Sequence, residues 1–423
     1  MSEEPAPQPT IFAADLLLPV SSSPIRGGAL LVEDGRISAV GSLNEIRDDN
    51  PEVEVRRFSG YTIIPGAVNT HAHLGFHRGD APRGGSFSRW VKELVQRLPE
   101  RDTWLAEASR NSAREAIECG TTYITDSSPY GDCLPALAES GLAGIVFAEF
   151  FPFDFDTAEE AVDSFEETLF SLREGLPPRV RVEVSVHAPY TVDPESSRLA
   201  ATRARERGDW LSIHLSESPE EVQFVLDGTG GLESVFEVLG VRADWGGVGV
   251  SPVRYAESVE LLGPNTIAAH LATGVSEEDI EILARNGVAA AQCPRSNEYL
   301  GCGISPMPRM MEKGIRVGMG TDGLWSTPNL NLFGETLFAV RLYGFDRATG
   351  LKLATLEGAR ALGIEEETGS LEAGKWADFA VVDAVPEGES AEMEILEAAA
   401  DGGVAATVVG GEPIYDRVED SSI

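Results

Sequence analysis

Pro65-Gly66-Ala67-Val68-Asn69-Thr70-His71-Ala72-His73 is a short apolar run that closes on two histidines one residue apart. Alternate residues of an extended strand point the same way, so the two imidazoles can share one metal ion. Alone, such a pattern is weak, because it arises by chance in many chains. Its weight comes from what surrounds it. Upstream, 29–32 and 37–40 read as a hairpin over the turn Glu33-Asp34-Gly35-Arg36, and 62–64 as a further strand. Pro65-Gly66 then lets the chain leave this β-rich start and enter a new layer. Downstream, strands predicted over 66–70, 121–126, 143–149, 180–186, 211–214, 266–270, 289–292 and 317–320 alternate with amphipathic stretches such as 102–118 and 276–286. Eight strands alternating with helices predict an α/β fold, a (β/α)8 TIM barrel. The tail returns to short strands at 379–382, 406–409 and 413–415. The expected organisation is an N-terminal part of a small composite β-sandwich (1–65), a metal-dependent barrel (66–365) and the C-terminal part of the sandwich (366–423).

The bulk composition narrows the function. The chain has 423 residues, 42% hydrophobic and 24% charged, which suits a soluble globular protein with a large core. Its net charge of −36 repels phosphate backbones and anionic membrane surfaces, so neither nucleic acid nor membrane is an expected partner. The four cysteines, Cys119, Cys133, Cys293 and Cys302, are scattered and form no CxxC pair. They fit a reducing compartment and oppose a disulfide framework. The N-terminus lacks a basic segment followed by an apolar one, and no apolar run approaches about 18 residues. The expectation is a cytoplasmic protein that acts on a small molecule. A homo-oligomer is compatible with the sequence but not legible in it.

Six histidines occur, and five of them, His71, His73, His187, His214 and His270, fall at or just past the ends of predicted barrel strands. The C-terminal strand ends of such a barrel face its active site. One histidine there is more often a hydrogen-bonded core residue; five on one rim point to a shared centre. His214, in Ser212-Ile213-His214-Leu215-Ser216-Glu217, would be a third nitrogen ligand. Glu217 lies where the next loop begins. It either overhangs the metal without ligating it or is a solvated charge like its neighbours Glu220 and Glu221. Asp322, between glycines in Gly320-Thr321-Asp322-Gly323, suits a ligand and base at the end of the eighth strand.

This ordered set resembles the amidohydrolase superfamily, and within it the branch of adenosine-type, S-adenosylhomocysteine, guanine and aminofutalosine deaminases and triazine hydrolases. The resemblance covers nearly the whole chain. It includes Ile64-Pro65-Gly66 with His71 and His73, His187-Ala188-Pro189-Tyr190-Thr191, His214 with Glu217, and His270. It continues through Cys293-Pro294-Arg295-Ser296-Asn297, Gly320-Thr321-Asp322-Gly323 and the tail Gly369-Ser370-Leu371-Glu372-Ala373-Gly374-Lys375-Trp376-Ala377-Asp378. It implies one divalent metal ion, zinc or else iron, held by His71, His73, His214 and Asp322. Binuclear relatives bridge two metals with a carboxylated lysine ending strand four. The four lysines here, Lys92, Lys313, Lys352 and Lys375, all lie elsewhere, which favours a single ion. The resemblance further implies catalytic roles for Glu217, His270 and Asp322. The ion activates a water, Asp322 accepts its proton, His270 orients it, and Glu217 passes a proton to the ring nitrogen beside the attacked carbon. The implied reaction is hydrolytic deamination of an amino-substituted heterocycle, foremost an adenine nucleoside derivative.

Substrate contacts are less sharply marked. Trp90, in Phe87-Ser88-Arg89-Trp90, is placed either to stack on a base or to pack as a helix residue on the barrel. Some relatives carry a ribose-binding carboxylate where this chain has Ser88, which questions sugar recognition of that kind. His187 is the remaining sugar or substrate contact. Arg83 is placed to meet an acidic substrate or to be a solvated loop residue. Trp325 stands where several deaminases have a smaller residue, and reshapes the expected pocket. The alternatives are a guanine, 8-oxoguanine or triazine-type hydrolase, a cyclic-amide hydrolase, and a dead relative serving as a scaffold. Glu217 opposes the cyclic-amide reading, which needs no proton shuttle to a ring nitrogen, and the complete ligand set opposes the scaffold.

Overall fold

A computed structural model of the chain describes residues 8–76, 85–241, 243–388 and 391–418. The barrel strands are β1 (Ala67–His73), β2 (Thr121–Pro129), β3 (Ala143–Phe150), β4 (Val180–Val186), β5 (Leu211–Leu215), β6 (Thr266–His270), β7 (Ala289–Gln292) and β8, which runs in two pieces, Val317–Met319 and Asp322–Gly323. Neighbouring strands are parallel. The first piece of β8 pairs with β7 and the second with β1, so the ring closes. Every residue of β3, β5 and β6 is buried, as a parallel sheet covered on both faces requires.

The covering helices carry their own start and stop signals. In Pro194–Arg207, Asp193 accepts from the amides of Glu195 and Ser196 and proline fills the first turn. Gly208 ends this helix with a left-handed φ of 79°, and Ala200, Ala201 and Ala204 face the barrel. The small side chains let the helix lie close to the strands.

Two departures from the sequence expectations bear on the site. The first strand runs on through both histidines rather than stopping at Thr70. The last strand is interrupted at Gly320 and Thr321 before resuming at Asp322. Gly320 lies where only glycine fits, since a Cβ there would be 2.7 Å from that of His71. Asn69 braces the break. Its Oδ1 accepts from the Thr321 amide at 3.2 Å, and its Nδ2 donates to Thr321 Oγ1 at 2.8 Å.

The two chain ends meet in one mixed sheet. Its order is Glu412–Asp416, Val404–Val409, Phe379–Val382, Glu54–Pro65, Thr10–Leu17, Gly28–Glu33, Arg36–Ser42, with Ile25–Arg26 added beside Thr10–Leu17. Phe12, Phe58 and Phe379 lie in the core on one face, and Ile46 of the helix Leu43–Asp49 helps to cover the other. Arg179, just before β4, holds the buried Asp378 with two bonds of 2.8 and 2.6 Å. The sheet is thereby pinned to the end of the barrel where the strands begin, which leaves the opposite mouth clear. Among the described residues no helix is long and apolar enough to cross a membrane.

Candidate metal centre and active site

His71 and His73 come from β1, His214 from β5, His270 ends β6 and Asp322 opens the second piece of β8. The His73 and His214 Nε2 atoms are 3.2 Å apart. The Nδ1 of His73 meets the Ser127 carbonyl at 2.5 Å, and that of His214 meets the His187 carbonyl at 3.1 Å. A carbonyl only accepts, so both Nδ1 atoms carry the proton and both Nε2 atoms present lone pairs. Two lone pairs facing each other at that distance need a cation between them. Protonation is no remedy at His214, because burial and the neighbouring His187 push it well below the usual histidine range. His71 is likewise depressed by burial and by His73, and its Nε2 has no hydrogen-bond partner.

The carboxylate completes the donor set. Asp322 Oδ1 lies 3.5 Å from His73 Nε2 and 3.9 Å from His71 Nε2. Its other oxygen accepts from Ser296 at 2.5 Å and Ser326 at 2.6 Å, which aims Oδ1 at the imidazoles. Burial pushes this acid up, but its surroundings, the Ser296 hydroxyl among them, shift Asp322 below the usual carboxylate range. Three imidazole nitrogens and one carboxylate oxygen fit a single zinc-like ion. Asp322, His270, Leu271 and Ser216 all adopt positive φ, at 61°, 70°, 47° and 52°. Such geometry costs roughly 1–3 kcal/mol per residue and clusters where side chains must be aimed.

Glu217 and His270 stand over this cluster, with Oε1 and Nε2 3.7 Å apart. Burial and Asp322 raise Glu217 well above the carboxylate range, which favours its acid form. His270 Nδ1 donates to Asn297 Oδ1 at 3.0 Å, leaving Nε2 bare. Its carbonyl is fixed by Gln292 Nε2 at 3.0 Å.

A cavity of about 440 Å³ opens from this floor. Phe76, Phe87, Trp90, Trp325, Phe151 and Phe153 contribute aromatic walls, while His187 and Glu149 add polar groups. Trp90 is half-buried and its Nε1 donates to the Trp325 carbonyl at 3.4 Å. Trp325 is buried, stacks on Phe76 at 5.2 Å and carries the Arg97 guanidinium at 5.0 Å. His71, His73, His214, His270, Glu217 and Asp322 thus converge, and His187, Trp90 and Trp325 line the same cavity. Arg83 lies outside the described residues.

Several residues of the site were not singled out in the sequence. Glu221 looked like a solvated acid but is fully buried, and its two oxygens accept from the Ser216 and Glu217 amides at 2.8 Å each. It shapes the turn that presents Glu217. Ser296 and Asn297 sat inside a quoted motif without a role. Glu149 ends the third predicted strand, so the rim rule that selected the histidines would have found it.

Comparison with known proteins follows the same lines. Residues 62–414 match the amidohydrolase family model, and residues 28–52 match an imidazolonepropionase-like composite domain of bacteria. The chain is 31% identical over 418 residues to a 5-methylthioadenosine/S-adenosylhomocysteine deaminase of Symbiobacterium thermophilum, covering 92% of this chain and 89% of that protein. It is 31% identical over 385 residues to a 5′-deoxyadenosine deaminase of Methanothermobacter thermautotrophicus, covering 85% and 81%. Among solved structures, a zinc-bound adenosine deaminase of Xanthomonas campestris superposes with a TM-score of 0.79 at 24% identity, over 99% of this chain and 96% of that one.

Proposed function

The chain belongs to the amidohydrolase family, and on that premise we propose that it is a metal-dependent hydrolytic deaminase of an adenine nucleoside derivative, releasing ammonia. His71, His73, His214 and Asp322 hold one divalent ion, zinc in this reading, as in the adenosine deaminase of like fold. When bound, the ion supplies the Lewis acidity that makes a water nucleophilic near neutral pH. Asp322, ionised and steadied by two serines, accepts the water's proton. Glu217, buried and protonated, gives its proton to the ring nitrogen beside the attacked carbon. His270, locked by Asn297, places its bare Nε2 against the reacting oxygen. The proton collected by Asp322 leaves with the amine as ammonia, and the remaining hydroxyl proton returns to Glu217 as the carbonyl forms. Trp90, Trp325 and His187 contact the rest of the substrate.

The observation that carries this reading is the buried Glu217 facing His270 at 3.7 Å over a cluster of bare imidazole nitrogens. A proton donor at that place serves attack on a ring amidine, whose nitrogen takes up a proton as the adjacent carbon is attacked. The relatives named for methylthioadenosine, S-adenosylhomocysteine and 5′-deoxyadenosine support an adenine nucleoside.

The test is ammonia release by the zinc-loaded protein from adenosine, 5′-methylthioadenosine, 5′-deoxyadenosine, S-adenosylhomocysteine, aminofutalosine, guanine, 8-oxoguanine and an aminotriazine, with Glu217→Gln as control. Turnover of an adenine nucleoside, lost in the variant, is the expected result. Turnover confined to guanine, 8-oxoguanine or the triazine overturns the nucleoside reading.

A further inference from the structure

Glu149 is the one cavity-lining acid that the chemistry above leaves without a task close to the metal cluster. It is the penultimate residue of β3 and only 3% exposed. Its Oε1 is buried without a hydrogen-bond partner. The other carboxylates on the cavity wall near it are engaged: Asp322 by Ser296 and Ser326, and Asp132 by Arg101. Burial pushes this carboxyl up to about 7, so both of its forms occur near neutrality, and a hydroxyl, which donates and accepts, matches either. Folded proteins leave such groups unmatched where a ligand completes them.

The surroundings restrict what that donor is. His187 Nε2 lies 3.9 Å from Glu149 Oε1, too far for a mutual bond but close enough for one ligand to touch both. The imidazole is held in place, with Nδ1 2.8 Å from Thr191 Oγ1 and Phe151 packed on the ring at 4.8 Å. Glu149, His187 and His214 also lie within reach of a common ion. That alternative fails on His214, whose Nδ1 is bonded to a carbonyl and whose Nε2 is turned to His73. One imidazole nitrogen does not serve two ions. Ser88, where some relatives carry a sugar-binding acid, is buried against Ser86 Oγ at 3.0 Å and does not line the cavity.

We propose that Glu149 is a specificity-determining residue that accepts a hydrogen bond from a substrate hydroxyl beside His187, so that the enzyme selects ribosyl over deoxyribosyl substrates. The acid that reads the sugar then comes from the third strand rather than the first barrel loop. The inference rests on the nucleoside reading. A site with a buried polar group discriminates strongly against an analogue lacking the matching hydroxyl, because the group is left unpaired.

The experiment compares kcat/KM for adenosine, 2′-deoxyadenosine and 3′-deoxyadenosine in wild type, Glu149→Gln and Glu149→Ala, with metal content and melting temperature measured alongside. Wild type is expected to favour adenosine over at least one deoxy analogue by about 10- to 100-fold or more. Glu149→Ala removes that preference by slowing adenosine alone, and Glu149→Gln melts no lower than wild type, since it keeps the shape of a carboxyl whose charged form burial disfavours. Equal losses on all three nucleosides with a lowered melting temperature indicate a structural role and overturn the inference while the proposed function stands. So does a preference that survives in both variants. A second equivalent of zinc, bound by wild type and lost in Glu149→Ala, overturns it in favour of a cation site. If no nucleoside is turned over, the proposed function fails, and equilibrium binding of the same three nucleosides decides the inference: discrimination that depends on Glu149 sustains it, and absence of binding overturns it.

Discussion

Glu217 and His270 face each other from the ends of adjacent strands, 3.7 Å apart, one a carboxyl whose pKa burial raises and the other an imidazole with its outer nitrogen bare. Their opposite states follow from their partners. Glu217 is buried near Asp322, whereas Asn297 fixes the proton of His270 on the inner nitrogen. Glu217→Gln keeps the shape and removes the mobile proton. It is expected to lower kcat by roughly 10²- to 10⁴-fold with metal content and melting temperature little changed. Because burial raises the Glu217 pKa, its acid form persists above the ordinary carboxylate range. The wild-type rate should fall on the alkaline side, as pH rises through that raised value. A rate unaffected by Glu217→Gln would remove this residue from the mechanism.

The opposed lone pairs of His73 and His214 make the apoprotein a strained state. One zinc per chain is expected by elemental analysis, and chelation should lower the melting temperature, because an ion that binds only the folded chain stabilises it by mass action. His73→Asn should abolish stoichiometric binding. Asn297→Ala, which frees a neighbouring imidazole without deleting a ligand, should instead reduce activity while metal is retained. Full metal occupancy in His73→Asn would show that the ion sits elsewhere.

Glu221 couples the same loop to pH. Burial raises its pKa to about 8, although the two amides it accepts from pull the other way. An acid whose pKa is higher folded than unfolded favours the folded state when protonated. Its contribution is complete below the ordinary glutamate range and is lost as pH rises from there through about 8. Melting temperatures measured between these limits should therefore fall more steeply in wild type than in Glu221→Gln. Parallel curves would mean that Glu221 stays ionised throughout.

Trp90 and Trp325 share a cavity wall but should separate in their effects. Trp325 is almost fully buried, between Phe76 and Arg97, so Trp325→Ala should cost about 3–5 kcal/mol of stability by denaturant melting. Trp90 is only half-buried and keeps one face on the cavity. Trp90→Ala should raise KM more than it lowers kcat, with a smaller loss of stability. A large stability loss and an unchanged KM would make Trp90 a packing residue.

Much of the architecture was written locally. Strand and helix periods depend on near neighbours, so the alternation from residue 66 onward predicted the barrel, and HxH, His214, His270 and Asp322 marked its rim. Glu221 and Glu149 show where that reading stopped. An acid after Pro219 looks solvated by composition, yet the Ser216 and Glu217 amides need an acceptor, and only the folded turn brings Glu221 beneath them. Glu149 carries no motif, and its meaning depends on His187 from the next strand. The need for glycine at position 320 likewise depends on the side chain of His71, distant in sequence.

The sequence by itself determined which side chains reach the mouth, because strand period and strand end are local properties. Only the tertiary structure decided their chemical states. Which imidazole nitrogen is bare, which carboxyl keeps its proton and which acid is left without a partner all depend on burial and on groups supplied by other strands.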